Sequence, residues 1–157
     1  MNLTIRSAHP EDAGQLADLI RGIGYFNALK NETPPDTAAR VARLLALNLA
    51  DPAAHSLVVA ADADGVIVGY TAVHWLPYLI LRAPEGYVSE LFVRESARGQ
   101  GVGRRLLEEV RAEGLRRGCG RLSLLNMRER ESYLRGFYRK AGWSEREDAA
   151  NFVLPLD

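Results

Sequence analysis

Glu90-Leu91-Phe92-Val93-Arg94-Glu95-Ser96-Ala97-Arg98-Gly99-Gln100-Gly101-Val102-Gly103-Arg104 reads as a strand that ends, a glycine-rich turn, and a helix that starts at once. Backbone N–H groups in the first turn of a helix have no partner within it and sit at the positive end of its macrodipole. Glycines let an anion approach such a backbone closely. Residues 98–103 therefore read as a phosphate cradle, to which Arg98 and Arg104 add charge. The bland alternative is a tight strand-to-helix turn without a ligand. Two familiar nucleotide loops do not fit. A P-loop requires GxxxxGK[ST], and no Lys-Ser or Lys-Thr follows these glycines. A GxGxxG fingerprint fails as well, because its last position falls on Arg104 counted from Gly99 and on Leu106 counted from Gly101.

Upstream of this stretch, Leu3 to Ser7 predicts a short strand, and Asp12 to Ile23 a helix with Leu16, Leu19, Ile20 and Ile23 on one face. A loop from Tyr25 to Thr33 ends at Pro34-Pro35, and Asp36 or Thr37 is expected to cap a second helix, whose stripe is Val41, Leu44, Leu45 and Leu49. Ser56 to Ala61 and Val66 to His74 form two strands joined through Asp64-Gly65, a strong hairpin signal. A looser stretch, Trp75 to Glu85, leads into the strand Gly86 to Val93. Downstream, a helix runs to about Arg117 with Val102, Leu106 and Val110 inward, and Gly118 stops it. Arg121 to Leu125 is a buried strand. Ser132 opens a last helix with Leu134, Phe137, Tyr138 and Ala141 inward, and Asn151 to Leu156 closes the chain as a strand. The order is mixed α/β, hairpin-rich in its first half and βαβα in its second.

With 157 residues the chain has the size of one domain, expected to span residues 1–157. Twenty Lys and Arg balance twenty Asp and Glu, which argues against a general nucleic-acid binder, whose affinity rests on excess cations. A single cysteine, Cys119, makes no internal disulfide, and His9, His55 and His74 lack metal-ligand spacing, so no metal site is expected. No stretch approaches the roughly 20 apolar residues of a membrane span, and the start Met-Asn-Leu-Thr-Ile-Arg has no leader character. A cytoplasmic protein without membrane attachment is the expectation.

Arg98-x-x-Gly101-x-Gly103 after Leu91-Phe92-Val93 resembles the acetyl-CoA loop of the GNAT acetyltransferase superfamily. Asn126, Val68-Gly69-Tyr70 and Gly136-Phe137-Tyr138-Arg139-Lys140-Ala141-Gly142-Trp143 extend the likeness, as does the order of elements over nearly the whole chain. The resemblance implies an α+β fold: a mostly antiparallel central sheet, flanked by about four helices, whose central strands splay apart. It implies direct transfer of acetyl from acetyl-CoA to a primary amine, either a small molecule, slightly favoured, or a peptide amine. A CoA-binding sensor or partner-binding module without transfer activity is the alternative, and a homodimer is possible within the superfamily.

By the same resemblance, Leu91, Phe92 and Val93 pair with the pantetheine, while Arg98, Gly99, Gln100, Gly101, Val102, Gly103 and Arg104 hold the pyrophosphate and Asn126 contacts the cofactor. Tyr138 stands where many members keep a tyrosine that protonates the departing sulfur, a role that suits a phenol with a pKa near 10. Glu90 is the first candidate base; it can equally attract a cationic substrate or pair with a helix. His74 is the second candidate. Strand alternation puts Ser89 and Glu90 on opposite faces unless a bulge intervenes. The acceptor pocket is expected from Tyr25, Phe26, Glu32, His74, Trp75 and Tyr78, with Glu85 near it. Glu131 departs from the pattern, standing seven residues before the tyrosine where many members have asparagine.

Overall fold

The computed structural model describes residues 2–24 and 26–156. They divide into two compact units, residues 1–125 and 126–157. In the first, β1 (Thr4–Ser7), α1 (Ala13–Arg21), α2 (Pro34–Ala50), β2 (His55–Ala61), β3 (Ile67–Leu76), β4 (Glu85–Val93), α3 (Val102–Arg116) and β5 (Arg121–Leu124) follow one another. The sheet order is β1-β2-β3-β4-β5. The pairs β1/β2, β2/β3 and β3/β4 are antiparallel, whereas β4/β5 is parallel, as the crossover through α3 requires. This is the mixed, mostly antiparallel sheet expected of the fold.

Each face of the sheet is covered by helices. Leu16 and Leu19 of α1 and Val41 and Leu45 of α2 pack with Val59, Ile67 and Tyr70 on one face. Val102 and Leu106 of α3 pack with Ala60 and Val68 on the other. A register shift between Ala60 and Ala61 lets Ile67 and Tyr70 share the first face while Val68 turns to the second. The sheet's own contacts are tight where β4 meets β3 and β5. A Cβ built on Gly86 would lie 2.6 Å from both Leu122 Cδ2 and Trp75 Cζ3.

Four local expectations change. The cap of α2 is Thr33, whose hydroxyl accepts from the Asp36 N–H at 3.3 Å, and Pro34-Pro35 form the first turn instead of ending a loop. Proline is well placed there because the missing N–H has no helical partner. Trp75 and Leu76 belong to β3, so the loop between β3 and β4 is shorter than the stretch Trp75 to Glu85. In the second unit the last helix is two short pieces, α4 (Glu131–Leu134) and α5 (Phe137–Lys140). Gly136 separates them at φ +67°, and Leu134 is exposed instead of inward. Asn151 to Leu156 is not a strand: Pro155 cannot donate to a ladder, and the described residues of that unit contain no strand to pair with. Phe152, Val153, Leu154 and Leu156 are exposed.

Replacing Gly86 by valine is expected to overpack the Trp75–Leu122 contact and cost about 1–3 kcal/mol, read as a lower urea midpoint at unchanged slope.

Candidate active site

The glycine turn is built as a cradle. A short 3₁₀ turn (Glu95–Ala97) follows β4, and Gly99 and Gly101 take φ +74° and +83° before α3 begins. The first α-helical bond across the turn runs from the Arg105 N–H to the Gly101 carbonyl. The N–H groups of residues 102–104 thus lie ahead of the helical ladder. A Cβ on Gly99 or on Gly101 would meet nothing within 4 Å, so the backbone faces open space. Arg104 is exposed and pairs with Glu108 at 2.9 Å, while Arg98 Nε donates to the Val93 carbonyl at 3.4 Å. Positive-φ backbone, open approach and leading N–H groups together fit an anionic phosphate group.

Next to the cradle lies an open strand edge. β4 pairs with β5 only from Glu85↔Arg121 to Val88↔Leu124, whereas its pairing with β3 continues to Val93↔Gly69. Residues 89–93 therefore have no ladder partner on the β5 side among the described residues. An extended ligand with amide groups can hydrogen-bond to such an edge.

The bulge left open by the sequence is present. Ala72 pairs with Glu90 and Val73 with Val88, so Ser89 is the extra residue. In consequence Ser89 and Glu90 both reach groups on the face that carries Tyr70 and His74. The Tyr70 hydroxyl donates to Glu90 Oε2 at 2.6 Å, and His74 Nε2 lies 2.8 Å from Ser89 Oγ. His74 Nδ1 in turn lies 2.9 Å from His55 Nδ1. Burial, and then the charge of Glu90, push the Tyr70 phenol far above its ordinary value, so it remains a hydrogen-bond donor. Burial and the neighbouring His55 hold His74 below its ordinary 6.5, although Glu90 opposes this, so the ring favours its neutral form.

Beside them stands a charged pair. Arg40 of α2 binds Glu32 through Nε and Nη2, both at 2.8 Å, and the Thr37 hydroxyl donates to Glu32 at 2.9 Å. The Arg40 guanidinium holds the Glu32 carboxyl down at about 2. Phe26 stacks edge-on against Phe92, ring centroids 5.7 Å apart.

Other expected pocket residues lie elsewhere or are already engaged. Trp75 is buried on the α3 face, its indole N–H donating to Ser56 Oγ at 2.9 Å and the Arg117 guanidinium 4.7 Å from its ring centroid. Period-2 alternation along β3 places it opposite His74. Glu85 is buried and bound to Arg121 and Ser123 of β5, so it is an internal brace between strands. Tyr78 is exposed in the β3–β4 loop. Tyr25 lies outside the described residues.

The second unit carries Tyr138 and Asn126. Tyr138 rests against Phe137 and Trp143, with ring centroids 4.9 and 6.1 Å away. Burial pushes its phenol up to about 12. Glu145 ties this unit together, pairing with Arg139 at 2.6 Å and Arg128 at 2.9 Å and accepting from the Tyr133 hydroxyl at 2.9 Å. Asn126 Oδ1 accepts from Ser132 Oγ at 3.1 Å, whereas its Nδ2 is buried with no partner among the described residues.

Comparison with known proteins identifies the family and the fold. Residues 24–143 match the sequence profile of the Acetyltransferase (GNAT) family. The chain belongs to the GNAT acetyltransferase family. It is therefore an enzyme of the acyltransferase class. It is 34% identical over 139 residues to glucosamine 6-phosphate N-acetyltransferase 1 of Oryza sativa subsp. japonica, covering 84% of this chain and 79% of that protein. It is 26% identical over 156 residues to thialysine N-epsilon-acetyltransferase of Mus musculus, covering 94% and 89%. Among solved structures it resembles a transcriptional regulator from Bacillus halodurans C-125 at TM-score 0.82 and 24% identity, covering 98% of this chain and 100% of that one. Glucosamine-6-phosphate N-acetyltransferase from Arabidopsis thaliana is similar at TM-score 0.77 and 17% identity, with all of both chains covered. At these identities the two structures show a shared fold.

Sequence reasoning left out three groups that this acetyltransferase gathers around the bulge: Tyr70, Arg40 and His55. Tyr70 sits two residues after a register shift, which reverses the face expected from simple alternation. Arg40 occupies the edge of an apolar helix stripe, where arginine ordinarily reads as solvated. His55 precedes the expected strand start by one residue. The only signal for it is the register that pairs it with His74.

The Glu32–Arg40 pair gives a pH test. Because the folded Glu32 carboxyl titrates near 2 and its ordinary value is 4.5, its contribution to stability is complete above pH 4.5 and is lost as the pH falls toward 2. Glu32→Gln is expected to flatten the decline of Tm across that window; an unchanged decline would show the pair contributes nothing there.

Proposed function

We propose that this protein transfers the acetyl group of acetyl-CoA to a small primary amine by direct attack, with both reactants bound at once. The observation that carries the reading is the adjacency, along β4, of a phosphate cradle, an unpaired strand edge and a bulge bearing Glu90. The N–H groups of residues 99–104 hold the pyrophosphate. The open edge of residues 91–93 hydrogen-bonds the pantetheine amides, and one N–H there polarises the reacting carbonyl. Bound in this way, acetyl-CoA supplies a thioester whose carbonyl carbon accepts an amine nitrogen.

The residues of the chain then manage protons. An alkylammonium must become an amine before it can attack, and the Glu90 carboxylate, held by the Tyr70 hydroxyl, draws it in and takes that proton. Tyr138 donates its proton to the departing sulfur, a role supported by a phenol that stays protonated up to about 12. The buried Asn126 Nδ2 retains a donor for the cofactor. Phe26 supplies aromatic surface for the acceptor, and the Glu32–Arg40 pair lines it as a neutral unit. The relatives named for glucosamine 6-phosphate and thialysine acetylation support a small-molecule amine as the acceptor class.

The test is thiol release from acetyl-CoA with a panel containing glucosamine 6-phosphate, thialysine, polyamines and a peptide N-terminus. Release that depends on a small amine is expected, and no release above the amine-free rate would overturn the reading. Tyr138→Phe is expected to lower kcat by roughly 100-fold with little change in the KM for acetyl-CoA. Gly101→Glu, which puts a charged side chain where the backbone faces open space at φ +83°, is expected to abolish the rise in Tm with acetyl-CoA.

A further inference from the structure

The bulge in β4 presents two proton acceptors on adjacent residues, and the reaction proposed above gives only one of them work. Glu90 receives the Tyr70 hydroxyl. Ser89, the extra residue, heads a separate chain: its Oγ lies 2.8 Å from His74 Nε2, and His74 Nδ1 lies 2.9 Å from His55 Nδ1. Ser89 is exposed and the two histidines are half-buried. A hydroxyl within hydrogen-bond reach of an imidazole, itself oriented by a third group, is the geometry by which an imidazole removes a proton through an oxygen.

The two histidine rings share one bond, so one Nδ1 donates and the other accepts. When His74 carries the hydrogen on Nδ1 and donates to His55, its Nε2 is bare and accepts from the Ser89 hydroxyl. The lone pairs of Ser89 Oγ then face outward, free to accept an N–H. The opposite tautomer makes His74 a donor to Ser89. That leaves the serine hydrogen only the Ala72 carbonyl at 3.4 Å. Both arrangements keep the His55–His74 bond, and the first leaves His74 Nε2 as the acceptor of the Ser89 hydrogen.

Resting on the transfer reading, we propose that Ser89 and His74, with His55 setting the tautomer, take the second proton that the acceptor nitrogen loses. A primary ammonium sheds two protons in becoming an amide. The first leaves before attack and goes to Glu90. The second leaves once the C–N bond has formed: Ser89 Oγ accepts it from nitrogen while passing its own hydrogen to His74 Nε2. The C–S bond then breaks and Tyr138 protonates the sulfur. Glu90 and His74 release their two protons to solvent and Tyr138 regains one, so one proton is released per amide formed. Ser89 is the catalytic contact in this step, His74 the base acting through it, and His55 a positioning residue.

The groups facing His74 are His55 from β2 and, from β4, Ser89, Glu90 and its register partner Tyr87. Burial and His55 favour the neutral ring, and Glu90 favours the charged one. An acid limb in kcat below the ordinary imidazole range follows from that balance.

Two measurements test the proposal: kcat against pH with acetyl-CoA and either thialysine or glucosamine 6-phosphate, whichever turns over faster, and imidazole NMR titration of the ligand-free protein. His74→Gln, which keeps a hydrogen-bonding side chain but no titrating base, is expected to lower kcat by roughly 100-fold and remove the acid limb, leaving the KM for acetyl-CoA unchanged. His55→Gln is expected to raise the His74 titration midpoint in the free protein and move the acid limb of kcat to higher pH by the same amount. Should His74→Gln fail to fold, the His55→Gln shift still decides. Wild-type kcat and an unmoved limb in the variants would overturn the relay. Absence of thiol release by the wild-type protein would instead overturn the transfer reading on which it rests.

Discussion

One extra residue in β4 organises the polar end of this sheet. Without it, residues 89 and 90 would point to opposite faces, and either the serine or the glutamate would be directed toward α3. With Ser89 bulged, Glu90 regains register against Ala72 and both side chains meet the face of Tyr70 and His74. The same position marks where β4 loses its second neighbour, since the ladder to β5 ends at Val88↔Leu124. Bulges re-aim side chains and terminate pairing, and here both effects fall on one residue. The open edge begins at this residue, and the placing of Glu90 and the contact of Ser89 with His74 both depend on it.

Charge is distributed in keeping with this. The chain carries equal numbers of acidic and basic residues. Of the three glutamates expected near an acceptor, Glu85 is buried in an ion pair between strands and Glu32 is bound bidentately by Arg40. Glu90 alone of the three has no guanidinium bound to it among the described residues, and it accepts from the Tyr70 phenol. A carboxylate bound by a hydroxyl keeps its negative charge for an incoming ammonium, whereas one bound by guanidinium has that charge offset. At the other end of β4, leading N–H groups and open glycine backbone favour an anion.

Much of this was legible in the sequence where local chemistry decides structure. Three alternating glycines between a strand and a helix dictated the cradle, and Gly99 and Gly101 adopt the positive φ that such a turn demands. The apolar stripes of α1, α2 and α3 gave the layers. The failures share a different physical origin. Gly136 breaks the last helix because a positive φ there outweighs the apolar spacing of Leu134, Phe137 and Ala141. Trp75 reads as a pocket aromatic by its neighbours in sequence, yet cross-strand packing with Gly86 and Leu122 draws it into the sheet. The Asn151–Leu156 alternation describes a strand, but a strand exists only with a partner. Register lay beyond local pattern altogether: nothing in Val88-Ser89-Glu90 marks the β4 bulge, and nothing local marks the β2–β3 register that pairs His55 with His74.

Amide hydrogen exchange of the full chain, with and without acetyl-CoA, tests the central claim that one continuous stretch of backbone from the β4 bulge to the start of α3 forms the cofactor site. The account predicts that acetyl-CoA slows exchange at residues 91–93 on the open edge and at residues 99–104 in the cradle, leaving β1 and the β2–β3 turn unchanged. Exchange at 91–104 unaltered by saturating acetyl-CoA would contradict it.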